Sequence, residues 1–145
     1  MLPEDFLAEY IANEEALGEI AKKIVAFDRP KIFLHGEMGV GKTTLARHIF
    51  AEWTKEPFLG SPTYPIAHHY QNCTHIDLYR IADETELFES GLIDPLTQKN
   101  FRVVVEWPDL ALQLGAFQSL RDQILRIYMD VTPSGNRRFK LLLTL

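Results

Sequence analysis

A single cysteine, Cys73, stands in 145 residues. No intrachain disulfide can form, and such sparing use of thiols fits a reducing compartment. Glycine and proline number 8 each, too few for a collagen-like repeat or a low-complexity linker. Long apolar runs are missing too. The greasiest stretches, such as Phe101–Val105 and Leu141–Leu143, are strand-sized and far from the roughly 18 residues that a membrane span needs. The opening MLPEDFLAEY carries acids where a secretory leader carries Lys or Arg, so the expected location is cytoplasmic. Positive charge is in deficit, with 15 Lys and Arg against 20 Asp and Glu for a net −5. A chain of that sign is poorly suited to grip nucleic acid unaided, because neutralising phosphates takes a basic surface.

What is present is ordinary globular material, 46% hydrophobic and 24% charged. At this length it can bury roughly 68–70% of its unfolded surface, and residues 1–145 read as one domain without repeat or linker. The charge is unevenly spread. Asp83–Asp94 holds Asp83, Glu84, Glu86, Glu89 and Asp94 with no base, while Arg121, Arg126, Arg137, Arg138 and Lys140 gather near the C-terminus. Such patches are ordinarily solvated faces and in the sharper case docking surfaces.

Asn13-Glu14-Glu15 has the chemistry of a helix start, a side-chain acceptor followed by acids. Leu17, Ile20, Ala21 and Ile24 then recur at helical spacing until Asp28-Arg29-Pro30 stops the pattern. Before it, Phe6–Ile11 suits either a short strand or an extra helical turn. Lys31–His35 reads as a buried strand and Lys42–Trp53 as a helix, with Leu45, Ala46, Ile49 and Phe50 turned inward. Pro57–Pro65 should be loop. Strands are expected near Ile66–Tyr70, Thr74–Leu78, Phe101–Glu106, Ile124–Val131 and Arg138–Leu143, and a short acidic helix over Glu84–Ser90. The turn residues of Thr132–Asn136 join the last two strands. The order implies an α/β sandwich with a mixed sheet.

Between the first buried strand and the next helix lies Gly36-Glu37-Met38-Gly39-Val40-Gly41-Lys42-Thr43, a complete G-x-x-x-x-G-K-[ST] in the setting the motif requires. Glycines let backbone N–H groups close round a phosphate, and the helix start adds a positive dipole end. Lys42 then supplies a charge for the β- and γ-phosphates, and the Thr43 hydroxyl a ligand for Mg²⁺. Such a site needs a further carboxylate. Asp77 and Glu106 both end apolar strands, where ligands bind in open α/β sheets. Spacing leaves open which of them touches the metal, although Glu106 follows the more buried-looking strand. Ser61-Pro62-Thr63 is an ordinary turn or a switch loop reaching for a γ-phosphate. His68 and His69 point to opposite faces of a strand and cannot chelate together, and His75 with Asp77 falls short of a transition-metal set. Trp107 is half-buried packing or, if exposed, part of a binding surface.

Taken together, FLHGEMGVGKTT, SPTY, HIDLYR, ELFESGLID and VVVEWP, in that order, resemble the bacterial TsaE family over roughly residues 13 to 140. The resemblance implies a P-loop NTPase-like three-layer sandwich with a mixed, mainly parallel sheet and a C-terminal β-hairpin. It further implies an ATPase that works with TsaD and TsaB to sustain formation of threonylcarbamoyladenosine in tRNA, at the adenosine beside the anticodon. ATP and Mg²⁺ would be its substrate and cofactor, and tRNA would be reached only through the complex. Position by position, the resemblance puts the phosphate loop on Gly36–Thr44, Gly36, Glu37, Met38, Gly39, Val40, Gly41, Lys42, Thr43 and Thr44 inclusive. It puts the metal-binding threonine on Thr43, the switch threonine on Thr63, the DLYR aspartate on Asp77 and the metal-associated glutamate on Glu106. Adenine-side contacts would come from Ile11–Glu14 and from Arg137 or Arg138.

Two other functions are compatible with a P-loop. A small kinase would call for an arginine-rich lid, and no basic cluster follows the P-loop helix; Asp83–Asp94 is acidic instead. A non-enzymatic docking module controlled by nucleotide fits a chain this short, with little room for a second substrate. The N-K-x-D tetrapeptide of guanine recognition does not occur.

Overall fold

The computed structural model describes residues 5–62 and 66–143. The chain begins with β1 (Asp5–Ala12) and a 3₁₀ turn (Glu14–Ala16) that leads into α1 (Leu17–Val25). Next come β2 (Lys31–His35), α2 (Lys42–Trp53), β3 (Ala67–His69) and β4 (Cys73–Asp77). Short helices α3 (Glu84–Glu89) and α4 (Ile93–Thr97) precede β5 (Arg102–Glu106), and α5 (Asp109–Leu112) follows it. The hairpin β6 (Ile124–Val131) and β7 (Arg137–Leu143) closes the described chain.

One sheet orders the strands β1-β7-β6-β2-β5-β4-β3. Its middle, β6-β2-β5-β4, is parallel; β3 on one side and the β7–β1 pair on the other are antiparallel. Buried residues alternate between two cores. Ile32, Leu34, Val104 and Leu125 pack with the residues of α1 and α2 on one face, and Phe33, Val103, Val105 and Ile124 with those of α3, α4 and α5 on the other. A strand covered on both faces has no polar side to show, which is why its sequence is a continuous apolar run. The result is the three-layer sandwich with a mixed sheet and C-terminal hairpin that the sequence implied.

Local chemistry explains some element ends. The Asn13 side chain accepts the Ala16 N–H at 3.1 Å, so the helix start stands where expected, with a 3₁₀ turn before the α-helix. Leu17, Ile20, Ala21 and Ile24 are the buried stripe of α1. Phe6–Ile11, open between helix and strand on sequence, is strand, because β7 offers an antiparallel partner in the register Tyr10↔Phe139. Helices α4 and α5, of five and four residues, have too few turns for a periodic signal and are not foreseen.

β2 begins with a charge in the core. Lys31 is fully buried, and its ammonium donates to the carbonyls of Pro95 at 3.2 Å, Gln98 at 2.7 Å and Phe101 at 2.6 Å. Three acceptors match its three N–H donors. Burial draws its pKa down to about 8.

Candidate functional site

The other end of β2 runs into the glycine-rich loop. A Cβ on Gly36 would lie 2.8 Å from Val40 Cγ1 and 2.9 Å from the Met129 carbonyl, so only glycine fits this close approach. Gly41, with φ of 109°, turns the chain into α2 in a conformation that side chains resist. The backbone thus wraps tightly before the helix N-terminus, as a phosphate cradle requires. Arg137 of β7 braces the loop from outside, its Nε donating to the Val40 carbonyl at 2.7 Å.

Lys42 is buried at 5% exposure. Its ammonium donates to the carbonyls of Gly36 at 2.5 Å and Glu37 at 3.0 Å, and lies 4.2 Å from the centre of the Trp107 ring. Burial lowers its pKa, while Glu106, Asp77 and Glu37 pull the other way. Trp107 holds this position with φ of 57°, left-handed backbone unusual for a bulky residue and doubly so before a proline. Backbone strain of this kind collects at functional sites.

Parallel pairing of β4 with β5 sets Asp77 directly beside Glu106 at the C-terminal ends of the strands. The two acids have different surroundings. Glu106 is 3% exposed and receives the Thr43 hydroxyl, 3.1 Å from Oε1 and 3.2 Å from Oε2. From the core side, His75 Nε2 lies 2.6 Å from Glu106 Oε2. Asp77 instead accepts the Tyr79 N–H at 2.9 Å. Burial raises its pKa against the Tyr79 hydrogen bond, and Glu106 adds to the rise.

These groups line a cleft of about 410 Å³, with Met38, Gly39, Gly41, Lys42, Thr43 and Thr44 on one side and Asp77, Glu106 and Trp107 on the other. Gly36, Glu37 and Val40 belong to the loop's supporting backbone. Ser61 and Pro62 reach the rim; Thr63 lies outside the described residues. A second cavity of about 380 Å³ adjoins the loop and is lined by Asn13, Glu14, Asn136 and Arg137, among others. Arg137 therefore shares one space with Ala12, Asn13 and Glu14 of the expected Ile11–Glu14 segment, which Ile11 does not line, while Arg138 ion-pairs with Asp130 at 3.6 Å.

Three contributors escape the sequence reading. Arg80 and Tyr79 line the cleft; their place in DLYR, just past a strand end, was the signal available. His75 was visible only as a residue on the same strand face as Asp77. Its partner sits 31 residues away on another strand, a distance that no local pattern spans.

The profile of the family described as "Threonylcarbamoyl adenosine biosynthesis protein TsaE" matches residues 11–139. The tRNA threonylcarbamoyladenosine biosynthesis protein TsaE of Haemophilus influenzae is 30% identical over 114 residues, 71% of this chain and 72% of that protein. The protein of the same name from Borreliella burgdorferi is 31% identical over 110 residues, 72% of this chain and 77% of that one. The Bacillus subtilis TsaE is 33% identical over 104 residues, 68% and 64% of the two chains. In fold, the chain matches the crystal structure of Bacillus subtilis YdiB with a TM-score of 0.67, covering 100% of this chain and 90% of that one at 22% identity. With the match to the family taking in the whole glycine-rich loop and β2 to β6 entire, the chain belongs to the TsaE family.

Proposed function

We propose that this protein is a Mg²⁺-dependent ATPase serving tRNA threonylcarbamoyladenosine biosynthesis, in which it works with TsaD and TsaB and meets tRNA only through them. The supporting observation is the meeting of Thr43 and Glu106 at the mouth of a complete phosphate loop. A hydroxyl and a carboxylate are the hard oxygens Mg²⁺ prefers, and Mg²⁺ takes few protein ligands and fills its shell with water and phosphate. Thr43 and Glu106 would hold the ion. When bound, it would offset the charge that builds on the phosphates during transfer.

The remaining work falls to the chain's own groups. Backbone N–H groups of the loop and the α2 dipole would bind the phosphates, and Lys42 would exchange its loop carbonyls for phosphate oxygens. Asp77, beside Glu106 in the cleft, would orient the attacking water. The cavity shared by Asn13, Glu14 and Arg137 would take the nucleoside. Thr63 would sense the γ-phosphate and pass its presence to the partners.

A docking role coupled to nucleotide is the second reading, favoured by the apolar rim of the cleft, where Met38 and Tyr79 are 67% and 56% exposed. ATP hydrolysis measured alone and with TsaB and TsaD distinguishes the two. The ATPase reading expects slow turnover alone, well under the enzyme median of about 10 per second, and a clear increase with the pair. Asp77→Asn should keep ATP affinity and lose most of the turnover. Nucleotide-dependent association without hydrolysis in any mixture would leave only the docking role.

A further inference from the structure

Glu106 is a carboxylate almost fully withdrawn from water, and such a group is costly unless donors surround it. Thr43 provides one donor from the cleft side. The other comes from the core. His75 is 0% exposed, its ring packed in one cluster with Phe50 at 5.4 Å and Phe58 at 5.7 Å, the latter stacked at 27°. Nε2 lies 2.6 Å from Glu106 Oε2, and Nδ1 is buried without a hydrogen-bond partner. A hydrogen on Nδ1 would be an orphaned donor, so the ring hydrogen belongs on Nε2, which donates it to Oε2. A histidine kept only for packing gains nothing from an unsatisfied nitrogen, and a phenylalanine would fill the same slot without that cost.

We infer that His75 is a positioning residue: its Nε2–H fixes the Glu106 carboxylate, occupying Oε2 and leaving Oε1 to take the cation, with the Thr43 hydroxyl close to both oxygens. The inference rests on the Mg²⁺ site proposed above. Donors behind a ligating carboxylate set its orientation and basicity, and losing one commonly costs about 10–100-fold in metal affinity. The aromatic cluster of His75, Phe50 and Phe58 joins this contact to α2 and to the segment leading to Ser61 and Pro62, so the carboxylate is referenced to the elements that carry the phosphate loop and the cleft rim.

The test titrates MgCl₂ into the full chain saturated with ADP and follows the metal-dependent rise in Tm. His75→Phe keeps the ring packing without the donor and should need about tenfold more Mg²⁺. His75→Gln, whose amide N–H₂ reaches the same place, should recover most of that loss. ADP binding in EDTA should be unchanged in both variants, since the loop and Lys42 are untouched. A Phe variant that titrates like wild type overturns the inference, as does a Gln variant that is equally stable yet no better than Phe. Should either variant fail to fold, ¹⁵N spectra of the wild-type imidazole decide: the ring hydrogen on Nε2 supports the contact, and on Nδ1 overturns it. Wild-type protein that ignores Mg²⁺ would refute the proposed metal site, and the ring spectrum would then judge the His75–Glu106 bond by itself.

Discussion

Two lysines, Lys31 and Lys42, are buried at opposite ends of one strand and its following loop, and they are held very differently. Lys31, at the start of β2, spends all three N–H donors on carbonyls of the segment around α4, at an end of the sheet far from the phosphate loop. Lys42, beyond the end of β2, finds two loop carbonyls and the face of an indole, with three acids in electrostatic reach. One ammonium is saturated and shut in; the other makes two carbonyl hydrogen bonds at the wall of an open cleft. A residue that has exhausted its donors on backbone is committed to the fold, whereas one resting on few partners beside an anion-shaped loop is available to a ligand.

Lys42→Ala gives the largest effect expected from this contrast. Removing a positive group aimed at transferring phosphates should cut ATP hydrolysis by about 10²–10³-fold, on the scale measured for lost transition-state donors. The ATP-dependent rise in Tm should largely vanish, while stability without nucleotide stays within about 1 kcal/mol. An undiminished Tm rise would erase the distinction between the two lysines.

Lys31→Met should do the reverse. It takes the donor from three part-buried carbonyl contacts, each costing up to about 1–3 kcal/mol when unpaired, partly offset by an easily buried thioether. Urea unfolding should show a loss of about 3 kcal/mol, with ATP affinity of the folded fraction unchanged. A variant as stable as wild type would mean that the carbonyls find other donors.

The smallest effect concerns His35, which closes the same strand beside the loop. Its ring stacks on Tyr128 at 4.3 Å, and Nε2 accepts from Arg126 Nε at 3.1 Å. Burial lowers its pKa from 6.5 to about 4, with Asp109 opposing. As pH falls from about 6.5 towards 4, the unfolded chain takes up a proton that the folded chain refuses, so stability falls with pH across that window. Between pH 7 and pH 5 the loss should be about 1–2 kcal/mol, and His35→Phe should flatten it. An unchanged acid slope in the variant would move its origin elsewhere.

The same contrast marks what a reader of the sequence can recover. The phosphate loop is contiguous, so its glycines, Lys42 and Thr43 announce themselves, as do the apolar stripe of α1 and the three valines of β5. Lys31 gives no sign of its role, because its acceptors lie 64 to 70 residues away. Two acids at strand ends were candidate companions for Thr43, and spacing could not separate them, although Glu106 followed the more buried-looking strand. Their side chains diverge only because Asp77 caps the turn that follows it, while Glu106 is gripped from two sides.

The amino-acid order alone determined the elements whose information is local: a helix start at Asn13, a loop that only glycines can close, buried strands written as apolar runs, and the order of motifs shared with a family. These depend on steric limits and hydrogen bonds within a few residues. Tertiary structure decided the strand identity of Phe6–Ile11, which needed β7 as a partner, and the acceptors of Lys31. It also placed His75 behind Glu106, which followed from laying β4 parallel to β5 in one register. A side chain's partner across a sheet is set by which strands the whole core can pack together, and that choice is written nowhere within the span of a single turn or strand.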